Sequence, residues 1–331
     1  MDGCIAASAP VVAFEGTNPL VNPNFFAQGE TYDCSSQVKA SNIVNARTTN
    51  IILFGGASDL CKENFHSSWD IIFNMSTTEE GRKELAQIFR LCRTPNTYFE
   101  ASYIADWVSN ALSYMTMGSY PYASSYMLNG NGYLPPYPMR LGCSYLSQTF
   151  DSDNDLLAGV RDAAGVFYNY SQSLKCYDLN VNGNNQTTID GELWNYLYCT
   201  EIFMPFGQDG INDMFWYDPW NSTASAQSCA DQYKNGGPRP LWANTNFGGW
   251  QIGKGGVTNI VFSNGQLDPW RGGGITLNLS QTITSIVIPD SGHHIDLFFS
   301  NPDDTAAVKN AREYELTQIK EWTEQSKMRW L

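Results

Sequence analysis

Two short β-branched runs near the C-terminus, VTNIVF at 257–262 and ITSIVI at 283–288, constrain this chain more than any other feature. Each reads as a strand, and each ends at a polar loop. The first loop, SNGQLDPWRGGG, carries Asp268; the second, PDSGHH, carries His293, 25 residues later. A serine or cysteine nucleophile needs a histidine to take its proton and a buried carboxylate to hold that histidine's tautomer. In the order Ser…Asp…His of an α/β-hydrolase, the acid and the base occupy successive loops at the carboxyl ends of strands. Asp268 and His293 fit that order. Gly272, Gly273 and Gly274 are expected to let the acid loop turn tightly, and Gly292 to free the backbone before the base. An Asp-Pro turn and an exposed histidine pair are also ordinary loop features, so spacing alone leaves the catalytic and the structural readings open.

Upstream, CIAASAP reads as a short buried strand that ends in a turn at Pro10. From about residue 17 to 240 the character changes. SSWDIIFNM, EEGRKELAQIFRLC and YFEASYIADWVSNALSYM have apolar residues at helical spacing. They alternate with loops rich in Gly, Pro, Asn and Tyr, such as GSYPYASSYMLNGNGYLPPYP. After RPLW the order becomes strand, loop, strand, loop, helix. The last helix is expected from Thr305 to Trp322, started by Pro302, Asp303 and Asp304, with Val308, Ala311, Leu316, Ile319 and Trp322 along one side.

Composition narrows the classes. At 331 residues the chain has room for one large domain or two smaller ones. A content of 42% hydrophobic and 14% aromatic residues excludes a disordered chain. The net charge of -14 leaves no basic face for nucleic acid, and no run of apolar residues is long enough to span a membrane. Acids other than Asp268 and Asp213 are expected mostly on the solvated surface. Eight dispersed cysteines without C-x-x-C argue for disulfides in an oxidising compartment rather than zinc fingers. Cys4 reads as a small buried strand residue. Five N-x-[ST] sequons, at Asn74, Asn169, Asn185, Asn221 and Asn278, point the same way. Yet MDGCIAASAPVV has neither the basic start nor the apolar core of a signal peptide, so the sequence reads as a secretory-pathway chain without its beginning.

Several whole phrases carry more than spacing. SNGQLDPWRGGG followed by IPDSGHHIDLF strongly resembles the C-terminal part of the lysosomal Pro-X carboxypeptidase and dipeptidyl peptidase II family of serine exopeptidases. The likeness runs back, in family order, through PRPLW, CTEIFMPFGQDGINDMF, YPYASSY, HSSWD and AASAPV. It implies an α/β fold, the C-terminal part of an α/β-hydrolase, with a large helical, disulfide-linked cap domain inserted. The segments would be 1–16 for a hydrolase strand, 17–242 for the cap and 243–331 for the stretch with acid and base. By the same resemblance Asp268 is the triad acid and His293 the base; local chemistry does not separate His293 from His294. Bridges Cys61–Cys143, Cys92–Cys176 and Cys199–Cys229 are implied too. Trp270, beside the acid, is expected near a pocket for a prolyl ring. Asp213 is expected either to meet a peptide's terminal amine or to serve as a helix N-cap or surface acid. The substrates implied are peptides with proline near one terminus, cleaved in the lysosome or outside the cell without a cofactor. Homodimerisation through the cap is a further expectation. Carboxypeptidase and dipeptidyl peptidase stay open, since both share these phrases.

The sequence departs from the family in two places. The family's nucleophile lies in a G-G-S-Y-G-G elbow upstream of the strand matching CIAASAP, and no G-x-S-x-G occurs anywhere in these residues. Ser58 and Ser8 do not replace it, so the chain alone is expected to be inactive, an incomplete peptidase or else a truncated paralogue or isoform that binds without cleaving. The segment 29–57 does not resemble the family, which leaves Cys34 without an implied partner. A metal site at His293, His294 and Asp296 is not expected: zinc needs three or four converging ligands, and His66, the remaining histidine, reads as structural. The many Trp and Tyr residues are expected in cores rather than in a sugar-binding face.

Overall fold

The computed structural model describes residues 3–35, 57–179, 187–234, 237–239, 241–254 and 256–329. Two compact units account for them. The first comprises Met1–Gly29, Trp194–Gly207 and Pro219–Leu331; the second comprises Glu30–Leu193 and Gln208–Asp218. Residues 17–29, 194–207 and 219–242 of the expected cap interval therefore count with the first unit.

The second unit is helical. Its helices are α2 (Asp59–Ser76), α3 (Glu79–Ile88), α4 (Tyr98–Met117), α5 (Pro138–Ser144) and α6 (Asp153–Tyr168). The unit boundaries fall within α1 (Phe25–Ser35) and α7 (Thr187–Thr200). Side-chain oxygens start four of these helices: Ser58, Thr78, Thr97 and Ser152 each accept a backbone N–H three residues on, satisfying one orphan donor apiece. Helical spacing then sets the core. Cys61, Phe65, Trp69 and Ile72 line one face of α2 and are fully or almost fully buried. They are joined by Ile104, Val108 and Leu112 from α4 and by Leu157 and Val160 from α6. Trp69 stacks between Phe65 and Phe215, and its indole N–H donates to the Met214 carbonyl at 2.6 Å.

The first unit is built on three parallel strands in the order β1–β2–β3: Cys4–Ala7, Ile260–Gly265 and Ile283–Ile288. β2 lies in the middle, pairs Cys4 with Ile260 and Ile283 with Ile260, and is buried throughout. It begins three residues later than the β-branched run VTNIVF and continues through the polar Ser263 and Asn264. Both are buried with partners: Ser263 donates to Asp296, and Asn264 to the Ile275 carbonyl at 2.9 Å. The core contains Val12, Ile260, Phe262, Ile275 and Ile283. The helices α8 (Ser222–Tyr233), α9 (Trp242–Phe247) and α10 (Ala306–Arg329) complete the unit.

α10 corrects an expectation. Val308, Ala311 and Trp322 are buried, but Leu316 and Ile319 are 50% and 44% exposed. The position between Ala311 and Trp322 on the buried face is taken by Glu315 instead. Besides Asp268 and Asp213, the acids Glu30, Asp33, Asp296, Asp304 and Glu315 are buried. Among the described residues, no helix is long and apolar enough to cross a membrane.

Three bridges close, Cys61–Cys143, Cys92–Cys176 and Cys199–Cys229. Cys4 is half-buried in β1, and Cys34 is fully buried with its Sγ 3.4 Å from both Cys61 Sγ and Cys143 Sγ. Burial pushes the Cys34 thiol well above its ordinary range, so it is a poor nucleophile. Peptide mapping without reductant should recover these three bridges, with Cys34 alkylated only after unfolding. A native map joining Cys34 to Cys61 or Cys143 would contradict the arrangement.

Candidate active site

The acid and base loops meet because β2 and β3 run parallel and end in register, Gly265 beside Ile288. Backbone hydrogen bonds then lace the loops together. Gln266 N–H donates to the Ile288 carbonyl and Leu267 N–H to the Ser291 carbonyl, both at 2.9 Å. The Gln266 side chain accepts from Asp290 N–H at 3.1 Å. Asp268, shut off from solvent, sits at the head of a short 3₁₀ turn, Pro269–Gly273. Its Oδ1 accepts from Trp270 N–H at 3.1 Å, and its Oδ2 lies 2.9 Å from His293 Nδ1. The His293 side chain remains partly exposed. Such a pair fixes the imidazole with Nδ1–H toward the carboxylate and leaves Nε2 as the basic atom.

His294 has a different place. It adopts a left-handed conformation, its backbone N–H donates to Ser8 Oγ at 2.8 Å, and its ring packs edge-on against Phe298. Burial, and then the neighbouring His293, hold its imidazole below the usual histidine range. Ser8, at the end of β1 and itself buried, thus supports the base loop through its hydroxyl. Ser58 caps α2.

The glycines act differently from the expectation. Gly272, Gly273, Gly274 and Gly292 have no left-handed φ. Gly273 and Gly274 are needed because the Ala13 side chain and the Asn264 amide lie where a Cβ would go. Another close approach at this site is one the sequence did not advertise. A Cβ at Gly265 would collide with the Ser291 and Gly292 carbonyl oxygens, so only glycine lets β2 end directly against the base loop.

Beside the pair lies an aromatic cluster. The half-buried Trp270 ring is 6.4 Å from the His293 ring and makes edge contacts with Phe26 at 4.9 Å, Trp194 at 5.6 Å and Phe206 at 5.7 Å. Trp194 is 39% exposed. Phe26, Trp194 and Phe206 are dispersed in sequence and lie in no recognisable pattern, so only Trp270 was identifiable beforehand.

The serine carboxypeptidase S28 family model matches residues 1–315. The chain belongs to that family. It is 35% identical to human lysosomal Pro-X carboxypeptidase over 320 residues, which is 97% of this chain and 58% of the human protein. Bovine lysosomal Pro-X carboxypeptidase is 32% identical over the same share of each chain. Prolyl carboxy peptidase like protein 5 of Caenorhabditis elegans is 27% identical over 97% of this chain and 61% of its own length. The chain thus spans a little under two thirds of the curated relatives it matches. The S28 family is one of serine peptidases of α/β-hydrolase type, and this chain contributes to it a three-stranded parallel sheet with the Asp268 and His293 loops.

The other candidate residues are placed as follows. Asp213, in the second unit, is buried and closes its own turn, accepting from the N–H groups of Asp209, Gly210 and Phe215 at 2.7, 3.2 and 3.1 Å. Burial nevertheless raises its carboxyl above the ordinary range. His66 is exposed on α2. Among the described residues, the cluster with metal-ligand spacing is Cys34, Cys61 and Cys143, and the last two are tied in a disulfide. Asn74, Asn221 and Asn278 are exposed, and Asn169 is half-buried with its amide donating to the Leu174 carbonyl at 3.0 Å. Asn185 and residues 36–56 of the unmatched segment lie outside the described residues.

Gly265 offers a direct test of the strand-to-loop approach. Gly265→Ala should cost about 1–3 kcal/mol, the usual penalty for forcing an extra carbon into packed backbone. It should also displace His293 from Asp268, seen as loss of the protected imidazole N–H signal by NMR. A stable Gly265→Ala protein that keeps the signal would mean the loops have slack.

Proposed function

We propose that this chain supplies the acid and base of a serine exopeptidase that removes the residue following a penultimate proline from the C-terminus of peptides. The observation that carries the reading is the Asp268–His293 contact set against the aromatic cluster around Trp270. In the proposed reaction, a serine hydroxyl attacks the prolyl carbonyl while His293 Nε2 takes its proton, and Asp268 stabilises the resulting imidazolium. His293 then returns the proton to the departing amine, and water repeats the cycle on the acyl-enzyme. The serine is not among these 331 residues, which contain no G-x-S-x-G; the reading assigns it to an elbow elsewhere in the complete gene product. Trp270, Phe26, Trp194 and Phe206 would receive the flat, apolar prolyl ring. The helical second unit would act as the cap.

The carboxypeptidase reading is favoured over the dipeptidyl one by Asp213. Its oxygens already accept three backbone N–H groups, which makes it a poor anchor for a free N-terminal amine. The names of the relatives, the three bridges and the exposed sequons support a lysosomal or secreted location, with Asn74, Asn221 and Asn278 as the glycan acceptors.

The test uses the natural full-length product and peptides with proline at the penultimate position from either end. N-terminally blocked peptides should lose their C-terminal residue. Asp268→Asn should lower kcat by about 10⁴-fold, the scale expected when the tautomer is wrong, and Trp270→Ala should raise KM by roughly 10-fold through loss of pocket contact. Release of N-terminal dipeptides instead would favour the dipeptidyl peptidase. A product that neither cleaves nor reacts with a fluorophosphonate would be a binding paralogue.

A further inference from the structure

Beneath the base loop lies a pair of carboxyls that the acid–base pair does not use. Asp296, three residues after His293, and Glu315, on α10, are each only 5% exposed. The two carboxyls lie close enough to interact, and the Ser263 hydroxyl bears on both. Ser263 Oγ, on β2, donates to Asp296 Oδ2 at 2.6 Å. Glu315 Oε1 has no hydrogen-bond partner among the described residues.

The charges around the pair do not balance. Arg312 lies about one helical turn before Glu315 and faces the same loop. It donates to the backbone carbonyls of Asp296 and Ile295 at 2.9 and 2.8 Å, and to the buried Asp304 carboxylate at 2.5 Å. The carboxylate that this guanidinium bonds is Asp304, and it meets Asp296 at the backbone carbonyl. Of the other elements packed here, β2 contributes only the Ser263 hydroxyl, and the loop contributes His294, itself held toward its neutral form. Two carboxylates in contact and away from water cannot both ionise, and an ionised Glu315 would leave a buried oxygen without a donor.

We propose that Glu315 is a positioning residue: it stays protonated, donates its hydrogen to Asp296, and through Asp296 and Ser263 holds the base loop so that His293 meets Asp268. The connection runs through strands as well as side chains. Ser263 also accepts Ser8 N–H at its carbonyl, and Ser8 Oγ receives the His294 N–H, at 2.7 and 2.8 Å. Residues 294 to 296 are thus fixed at a backbone N–H, two backbone carbonyls and a carboxylate. The positioning role rests on His293 being the base of the proposed peptidase; the shared proton does not.

The pH dependence has a definite sign. Burial, and then the neighbouring Asp296, push the Glu315 carboxyl up from 4.5 to about 8. The folded protein keeps this proton where the unfolded chain releases it. Its contribution to stability is complete below pH 4.5, falls as pH rises, and is gone above about pH 8.

Glu315→Gln keeps the shape and the donor but has no proton to lose. In the natural full-length protein, its Tm should match the wild type near pH 4.5 and exceed it increasingly toward pH 8. The His293 imidazole N–H signal should persist in Glu315→Gln and be lost in Glu315→Ala. A Gln variant that loses most stability at neutral pH would show an ionised Glu315 paired with Arg312 and overturn the proposal. A Glu315→Ala protein that keeps the His293 signal would overturn the positioning role. If Glu315→Ala does not fold, the pH course of the Gln variant decides, together with the Glu315 carboxyl carbon shift, which should titrate near 8. None of these measurements requires peptidase turnover, so they fail or succeed independently of the substrate assays.

Discussion

A buried aspartate next to a partly open histidine is an arrangement that backbone must enforce, because nothing in the two side chains alone keeps them together. Here the enforcement is the parallel register of β2 and β3. Parallel strands deliver their carboxyl ends to the same side, so the residues after Gly265 and after Ile288 emerge side by side. Two interloop backbone hydrogen bonds and the missing side chain at Gly265 then bring the loops into contact. Asp268 capping its own 3₁₀ turn fixes one oxygen and leaves the other for His293. The separation of 25 between Asp268 and His293 takes in the rest of the connection from Gly265 to Ile283 and then β3 itself.

Much of this was legible beforehand because it depends on local pattern. ITSIVI marks β3 residue for residue, and the helices α2 to α4 follow apolar spacing with Ser or Thr caps. VTNIVF marks β2 less well. Apolar content ends at Phe262, whereas the strand continues through Ser263 and Asn264, whose polarity is satisfied by tertiary partners. The same blindness explains α10. A helical wheel places Leu316 and Ile319 inward by their hydrophobicity, but Glu315 takes the inner position, near the buried Asp296. Cysteine pairing is in a third category: bridges spanning 82 and 84 residues follow from three-dimensional proximity, and only resemblance pointed to them.

The aromatic cluster shows why a binding surface is harder to read than a catalytic pair. Asp268 and His293 announce themselves through loop position after strands. Phe26, Trp194 and Phe206 come from three unrelated stretches and gain meaning only because each reaches Trp270. Glycine behaves likewise. A run such as Gly272–Gly274 attracts notice, while the lone Gly265 carries the closest backbone approach between the two loops.

The net charge of -14 acquires a structural meaning from the acids that are not on the surface. Asp268 has His293 and Asp304 has Arg312, but Glu30 is held by the Ser113 hydroxyl at 2.5 Å and Asp213 by backbone N–H groups. A hydroxyl stabilises a carboxylate far less than a cation does, so burial wins where it is the main partner. Glu30 is pushed up to about 8, with Asp213 adding to the effect, as Glu315 is pushed up beside Asp296 in the other unit. Both units therefore bind protons on folding that the unfolded chain releases above about pH 4.5. Each of these two carboxyls contributes stability that is complete below about pH 4.5 and lost as pH rises toward 8.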